Sequence, residues 1–266
     1  MSRDSLENRI AFITGGGGGV GKQTGRAMLE KGAKVVLADI KDEALQKAVA
    51  DLKGFNPSFA KRVAGVHIDL TSLDSIDQAL TEAEGFFGPM DILVNSAGAF
   101  TVRDLLDIPE KEFDLNFNVN TKGLFYCSVN FAKRLIARKS PGNIVNVCSN
   151  AAVVCFPRMG HYNASKAAAK NLTQCMAIEW SKYGINVNAV NPGAIDTGML
   201  KSCMVQMTGK NDEANIEECR KTWGPAQLGR LVDPYEVALI IAFFASDAAR
   251  IIRGQAVNTD AGQTPC

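Results

Sequence analysis

Ile10-Ala11-Phe12-Ile13-Thr14-Gly15-Gly16-Gly17-Gly18-Gly19-Val20-Gly21 decides how the rest of the chain is read. Four apolar residues in succession suit a strand buried on both faces. The glycines after Thr14 let the backbone turn sharply and approach a bound group closely. A helix starting near Val20 would offer that group unpaired N–H donors and the positive end of its dipole, which suits a pyrophosphate. Gly16, Gly18 and Gly21 satisfy G-x-G-x-x-G, but a run of glycines does so almost automatically, so the surroundings carry the reading. They consist of a strand before, a helix after, and a second strand from Lys34 to Ala38 that ends in Asp39. An acidic residue about 20 positions beyond the glycines is placed to hold a ribose 2′-hydroxyl and to repel a 2′-phosphate. Asp39 therefore argues for NAD over NADP. Gly16 to Gly21 followed by Lys22 also nearly spells a phosphate-binding P-loop, but that motif needs Ser or Thr directly after the lysine to ligate magnesium. This chain has Gln23, and Thr24 comes one residue too late.

Further apolar runs at 63–68, 90–94, 144–147, 185–190 and 255–258 read as strands, giving about seven in all. Helical segments alternate with them: Leu45, Ala48, Val49 and Leu52 recur at helical spacing, as do Leu73, Ile76, Leu80 and Ala83. Asp233, Pro234 and Glu236 supply a cap, a first-turn proline and a capping-box partner. The alternation predicts an α/β fold with a doubly wound parallel sheet of the Rossmann type and helices on both faces. Its ligand crevice lies at the carboxyl ends of the strands, where Asp39, Asn95 and Ser149 fall.

Tyr162 and Lys166 are four residues apart in a helix-forming stretch reaching about Ser181, so they project from one helix face. Ionising a free phenol at neutral pH costs about 4 kcal/mol. An ammonium roughly 4 Å away returns about that much at an effective dielectric near 20. A phenol tuned in this way can exchange a proton with a carbonyl or hydroxyl oxygen. Ser149, thirteen positions earlier, could hold that oxygen.

These residues together resemble the short-chain dehydrogenase/reductase family, in its compact one-domain form of NAD(P)-dependent oxidoreductases, and the match covers nearly the whole chain. Thr14, Gly15, Gly19 and Gly21 fit the family's T-G-x-x-x-G-x-G loop, and Asp69 fits the residue that contacts adenine. Asn95, Ala97 and Gly98 fit N-N-A-G after the fourth strand, and Pro192, Gly193 and Thr197 fit P-G-x-x-x-T beside the nicotinamide. The resemblance implies a catalytic tetrad of Asn120, Ser149, Tyr162 and Lys166. It also implies a coenzyme site that takes in Val20, Ile40, Leu70 and Ile195 beside the motif positions, together with Tyr162 and Lys166. Its expected activity is hydride transfer between NAD and a secondary alcohol or ketone. In that scheme Lys166 lowers the phenol pKa and holds the nicotinamide ribose, Ser149 orients the reacting oxygen, and Asn120 positions a water that links Lys166 to solvent. The departures lie outside the tetrad: Ser96 replaces the second asparagine of N-N-A-G, Cys148 precedes Ser149, and Asp260-Ala261-Gly262 replaces Asp-Gly-Gly. Gly18 stands where NADP-preferring relatives often carry a basic residue, which agrees with Asp39.

A chain of 266 residues with 46% hydrophobic content can bury the core of one domain. Its 29 basic and 28 acidic residues leave a net charge of +1, which provides no field for nucleic acid or an anionic membrane. The longest apolar run, 237–245, is too short to span a bilayer. No secretion signal precedes the first strand, so the expected location is cytoplasmic. Seven cysteines, at 127, 148, 155, 175, 203, 219 and 266, show no C-x-x-C pairing and read as reduced, buried small hydrophobes. With only His67 and His161 in the chain, no metal site is expected.

The segment 198–224 has no evident sheet role and contains Met199, Leu200, Met204, Met207 and Trp223, the composition of a flexible lid over an apolar ligand. Phe100, Val153, Val154, Phe156 and Met159 fall near the expected crevice. They favour an apolar alcohol or ketone, a hydroxysteroid among them. The same methionines and tryptophan would equally serve subunit packing, and a small-polyol dehydrogenase is the alternative enzyme, with His161 as a polar contact or a structural residue. A non-catalytic NAD-binding sensor or scaffold is the alternative of another class, and the intact tetrad argues against it. Helices near 123–137 and 162–181 resemble those through which the family forms homotetramers or homodimers.

Overall fold

The computed structural model describes residues 2–224 and 228–264, so Cys266 lies outside the described residues. Seven strands form one parallel sheet: β1 (Ile10–Thr14), β2 (Lys34–Asp39), β3 (Val63–His67), β4 (Ile92–Asn95), β5 (Gly142–Val147), β6 (Ile185–Pro192) and β7 (Ala256–Thr259). Their order across the sheet is β3-β2-β1-β4-β5-β6-β7. The winding reverses between β1 and β4, and a crevice opens there at the carboxyl ends of the strands.

The strands are largely apolar because most of the sheet is covered on both faces, with asparagines interspersed in β5 and β6. Ala11, Ile13, Val35 and Leu37 face one core layer, packed by α1 (Gly19–Glu30), α2 (Asp42–Phe55) and α9 (Pro234–Phe244). Phe12, Val36 and Ala38 face the other, packed by α3 (Leu73–Phe87), α5 (Leu124–Ala137) and α6 (Gly160–Trp180). Side chains that alternate in sequence therefore feed opposite layers. The expected capping box is present: the Asp233 side chain accepts from the first turn of α9, and the Glu236 carboxylate accepts from Asp233 N at 2.9 Å.

Between α4 (Glu110–Phe117) and α5 the chain widens into one π-helical turn, Asn118–Gly123. Such turns expose a side chain sideways at functional sites. The segment 198–224 forms two helices, α7 (Gly198–Thr208) and α8 (Glu213–Trp223), capped by Thr197 and Asp212. They enclose a small core of Met204, Ile216, Cys219 and Leu231. Among the described residues no helix is long and apolar enough to cross a membrane, and no group of three or more His, Cys, Asp or Glu is arranged to hold a metal. Cys127, Cys148, Cys203 and Cys219 are buried, but Cys155 and Cys175 are exposed, because they lie on a loop and on the outer face of α6.

Candidate active site

A cleft of about 1340 Å³ runs across the carboxyl edge of the sheet at the reversal of winding. Its floor is the glycine loop. Gly15 has φ +68°, and a Cβ there would stand 2.7 Å from Ala97 Cα, so the loop can cross the end of β4 only as glycine. A Cβ on Gly21 would stand 2.2 Å from Gly15 O, and one on Gly19 would stand 2.7 Å from Thr197 Cγ2. The cradle is therefore closed on three sides by backbone and by Thr197, in the shape a pyrophosphate needs over the start of α1.

Asp39 stands at the outer end of this cradle, where its Oδ2 accepts from Gly17 N and its Oδ1 from Lys41 N, each at 3.0 Å. Both oxygens are oriented by backbone while the side chain lines the cleft. Asp69 lines it too, with Oδ1 accepting from Thr71 N at 2.8 Å and from the Thr71 hydroxyl at 2.7 Å. Val20, Ile40, Leu70, Ala97, Gly98, Pro192, Gly193, Ile195 and Thr197 complete the wall. These residues fit a dinucleotide.

Two residues assigned to coenzyme by sequence do not reach the cleft. The Thr14 hydroxyl is buried and accepts from Ala97 N at 3.2 Å. Asn95 lies beside Asn146 in the sheet register; its Nδ2 donates to Asn146 Oδ1 at 2.8 Å and to Ser128 Oγ at 2.9 Å, and Asn146 Nδ2 in turn donates to Thr173 Oγ1 at 2.9 Å. This polar thread ties β4 and β5 to α5 and α6, so Asn95 positions the helix that carries Tyr162 and Lys166.

On α6, Tyr162 and Lys166 face the cleft one turn apart. The Tyr162 hydroxyl is hydrogen-bonded to Ser149, and Phe100 packs its ring edge-on against the phenol at 4.8 Å. Ser149 Oγ also accepts from Ala151 N at 3.1 Å, which fixes the turn after β5. Lys166 Nζ donates to Val147 O at 2.9 Å and lies 5.9 Å from the centroid of the Tyr162 ring. Burial pushes the Tyr162 phenol up to about 12, against the pull of the Ser149 hydrogen bond. Burial also lowers Lys166, with Cys148 opposing. Desolvation thus opposes the expected depression of the phenol pKa by lysine.

Asn120, in the π-helical turn, is buried behind the cleft. Its Oδ1 accepts from Ala99 N at 2.8 Å, and its Nδ2 donates to Ala99 O at 2.9 Å and to Ser165 Oγ at 3.0 Å. It holds the loop after β4 that presents Phe100. A Cβ on Gly98 would stand 3.4 Å from Asn120 Oδ1 and 3.5 Å from Lys166 Nζ, so the glycine preserves the gap between them. His161 is buried and bonds Thr101 Oγ1 through Nε2 at 2.5 Å rather than lining the cleft.

The other half of the cleft is apolar. Phe100, Phe156, Met159, Met199, Leu200, Met207 and Trp223 line it, while Val153 and Val154 lie outside it and Met204 is buried between α7 and α8. Leu115, Cys203 and Pro157 also line it, as do the polar residues Asn150, Thr222 and Gln263. Asn150 carried a signal in its place directly after Ser149, whereas Gln263 had none, since only the turn after β7 brings it here. The charged residues lining the cleft among those described are Asp39, Lys41, Asp69 and Lys166, and none stands in this half.

The family model for short chain dehydrogenases matches residues 9–207. An NAD-dependent glycerol dehydrogenase of Listeria innocua is 35% identical over 260 residues, covering 98% of this chain and 95% of that one. The solved structure of levodione reductase superposes with a TM-score of 0.90 at 28% identity, covering 98% and 99% of the two chains. A 2-deoxy-d-gluconate 3-dehydrogenase described as putative, from Agrobacterium tumefaciens and solved with bound NADP, superposes at 0.81 with 29% identity over the whole of both chains. With the glycine cradle, the Ser149, Tyr162 and Lys166 cluster and the seven-strand parallel sheet in place, the chain belongs to the short-chain dehydrogenase/reductase family of oxidoreductases.

Proposed function

We propose that this protein interconverts a secondary alcohol and a ketone with NAD as its coenzyme, and that its substrate has an apolar body. The hydrogen-bonded Tyr162 and Ser149 hydroxyls, set between the glycine cradle and an apolar pocket, carry this reading. NAD bound over Gly15 to Gly21 would accept or supply the hydride. The chain's own residues handle the oxygen and its proton. Ser149 Oγ holds the reacting oxygen, and Tyr162 O–H, neutral at physiological pH in its buried setting, is ready to donate to a carbonyl oxygen. Lys166 supplies a cation within the same buried volume, and the Gly98 gap suits a water between Lys166 and Asn120.

Asp39 supports NAD over NADP, because a backbone-oriented carboxylate at the outer end of the cradle repels a second phosphate. The uncharged pocket favours apolar alcohols, including hydroxysteroids, over small polyols, and α7 and α8 serve as its lid. Phe113 and Leu115 of α4 and Ile178 of α6 are exposed apolar residues suited to contacts between copies in a homotetramer or homodimer. A cytoplasmic location accords with the same reading.

The test is NADH formation by the purified protein with NAD or NADP and a panel of hydroxysteroids, small polyols and simple secondary alcohols. Turnover of apolar secondary alcohols with NAD preferred is the expected result. Tight NAD binding with no turnover on any member would replace the enzyme by a coenzyme sensor.

A further inference from the structure

Beside Ser149 the cleft carries two side-chain amides that proton transfer at Tyr162 leaves unused. Ser149 Oγ lies 3.4 Å from Asn150 Oδ1, and Asn150 Nδ2 donates to Gln263 Oε1 at 3.0 Å. Gln263 comes from the turn after β7, and that turn is built with care: Gln263 N donates to Asp260 O and Gly262 N to Asp260 Oδ1, each at 3.2 Å, while Asn258 Nδ2 donates to Thr264 O at 2.8 Å. It presses on the end of β6, where a Cβ on Gly193 would stand 2.7 Å from both Asp260 Cβ and Gln263 Oε1. Gly193 is therefore glycine to admit the Gln263 amide.

The Gln263 carboxamide has one atom bound to Asn150 and the other directed to no partner among the described residues, in a side chain that lines the cleft. Turning both amides over together exchanges donor for acceptor but keeps the pairing and the unused atom. The remaining substrate half offers little competition. Its walls are apolar, and the Thr222 hydroxyl already donates to Glu218 O at 3.0 Å.

We infer that Asn150 and Gln263 form a site for a second substrate oxygen, one carbon away from the oxygen held by Ser149. The preferred substrates are then vicinal diols and the matching α-hydroxyketones, with the rest of the molecule against the apolar walls. A site that hydrogen-bonds an oxygen discriminates against an analogue that lacks it; here Asn150 is buried and Gln263, which it meets, is exposed along the cleft wall. This inference rests on hydride transfer at Ser149 and Tyr162.

The experiment compares a vicinal cyclohexanediol with cyclohexanol, using NAD, in the wild-type protein and in Gln263→Leu, with NADH affinity measured by fluorescence titration. The wild type should favour the diol in kcat/KM by about tenfold or more. Gln263→Leu should remove most of that preference, chiefly by raising KM for the diol, and NADH affinity should hold. A wild type with no preference for the diol overturns the inference even if the variant does not fold. So does a variant that keeps the preference, or one that loses NADH affinity while keeping it. If neither alcohol is turned over, the hydride-transfer reading itself falls and this inference with it.

Discussion

Gly21→Ala adds one methyl group at the point where the glycine cradle is tightest. Gly21 lies in the first turn of α1, where alanine would ordinarily gain about 0.5–1 kcal/mol over glycine. Here the new Cβ would stand 2.2 Å from Gly15 O and 2.8 Å from Gly15 C, and both are backbone atoms. Restoring an ordinary contact of roughly 3.4 Å requires the loop and the helix start to separate by about 1 Å. Overpacking of this kind typically costs about 1–3 kcal/mol, so the helix gain is outweighed and the protein is destabilised. The same displacement carries the N–H donors of the cradle away from their anion, and a misplacement of about 1 Å can cost about 10²-fold in rate. Gly85→Ala in α3 is the control, because nothing lies within 4 Å of a Cβ there and the helix gain is unopposed. Thermal unfolding and NADH fluorescence titration read both effects. Gly85→Ala should raise Tm by roughly 1–4 °C, and Gly21→Ala should lower it and weaken NADH binding at least tenfold. A Gly21→Ala protein that binds NADH like the wild type would show that the cradle does not hold the coenzyme.

Asp39→Asn keeps an oxygen for one of the two backbone donors but removes the charge, so the NAD:NADP ratio of kcat/KM should fall at least tenfold; an unchanged ratio would mean that Asp39 does not face the ribose. His161 has its pKa lowered by burial, with Glu112 opposing. The unfolded chain therefore takes up the proton first, at about 6.5, so stability is complete above that pH and declines as pH falls below it. His161→Gln should flatten that part of the Tm-against-pH curve, and a curve of unchanged slope would remove His161 from the account.

The sheet was legible because its strands are predominantly apolar and the helices between them keep their spacing. The strand bounds moved by one or two residues where pairing extends past the apolar run, as at Gly142 and Asn143, which pair with Ile185 and Asn186. The pairing of Tyr162 and Lys166 on one face was legible because both are local to one helix. Their electrostatics were not, because spacing says nothing of burial or of the Val147 carbonyl that takes the lysine proton donor. Asn95 carried the right motif, yet its polar thread to Asn146 and Thr173 depends on strand register, which the motif does not reveal. The segment 198–224 was read by composition as one piece; its division at the Gly209 turn (φ +72°) follows from the caps at Thr197 and Asp212. Gln263 was invisible, since only the packing of the final turn against Gly193 brings it to Asn150.

The central claim is that the Tyr162 hydroxyl moves the proton at the reacting oxygen. Tyr162→Phe removes that oxygen while keeping the ring that Phe100 packs against at 4.8 Å, so fold and coenzyme affinity should persist. NADH formation by this variant on the best alcohol of the panel, with NADH affinity measured alongside, is the most direct test. The expected result is wild-type NADH affinity with kcat reduced by about 10²- to 10⁴-fold, and a variant within a few-fold of wild-type turnover would contradict the account.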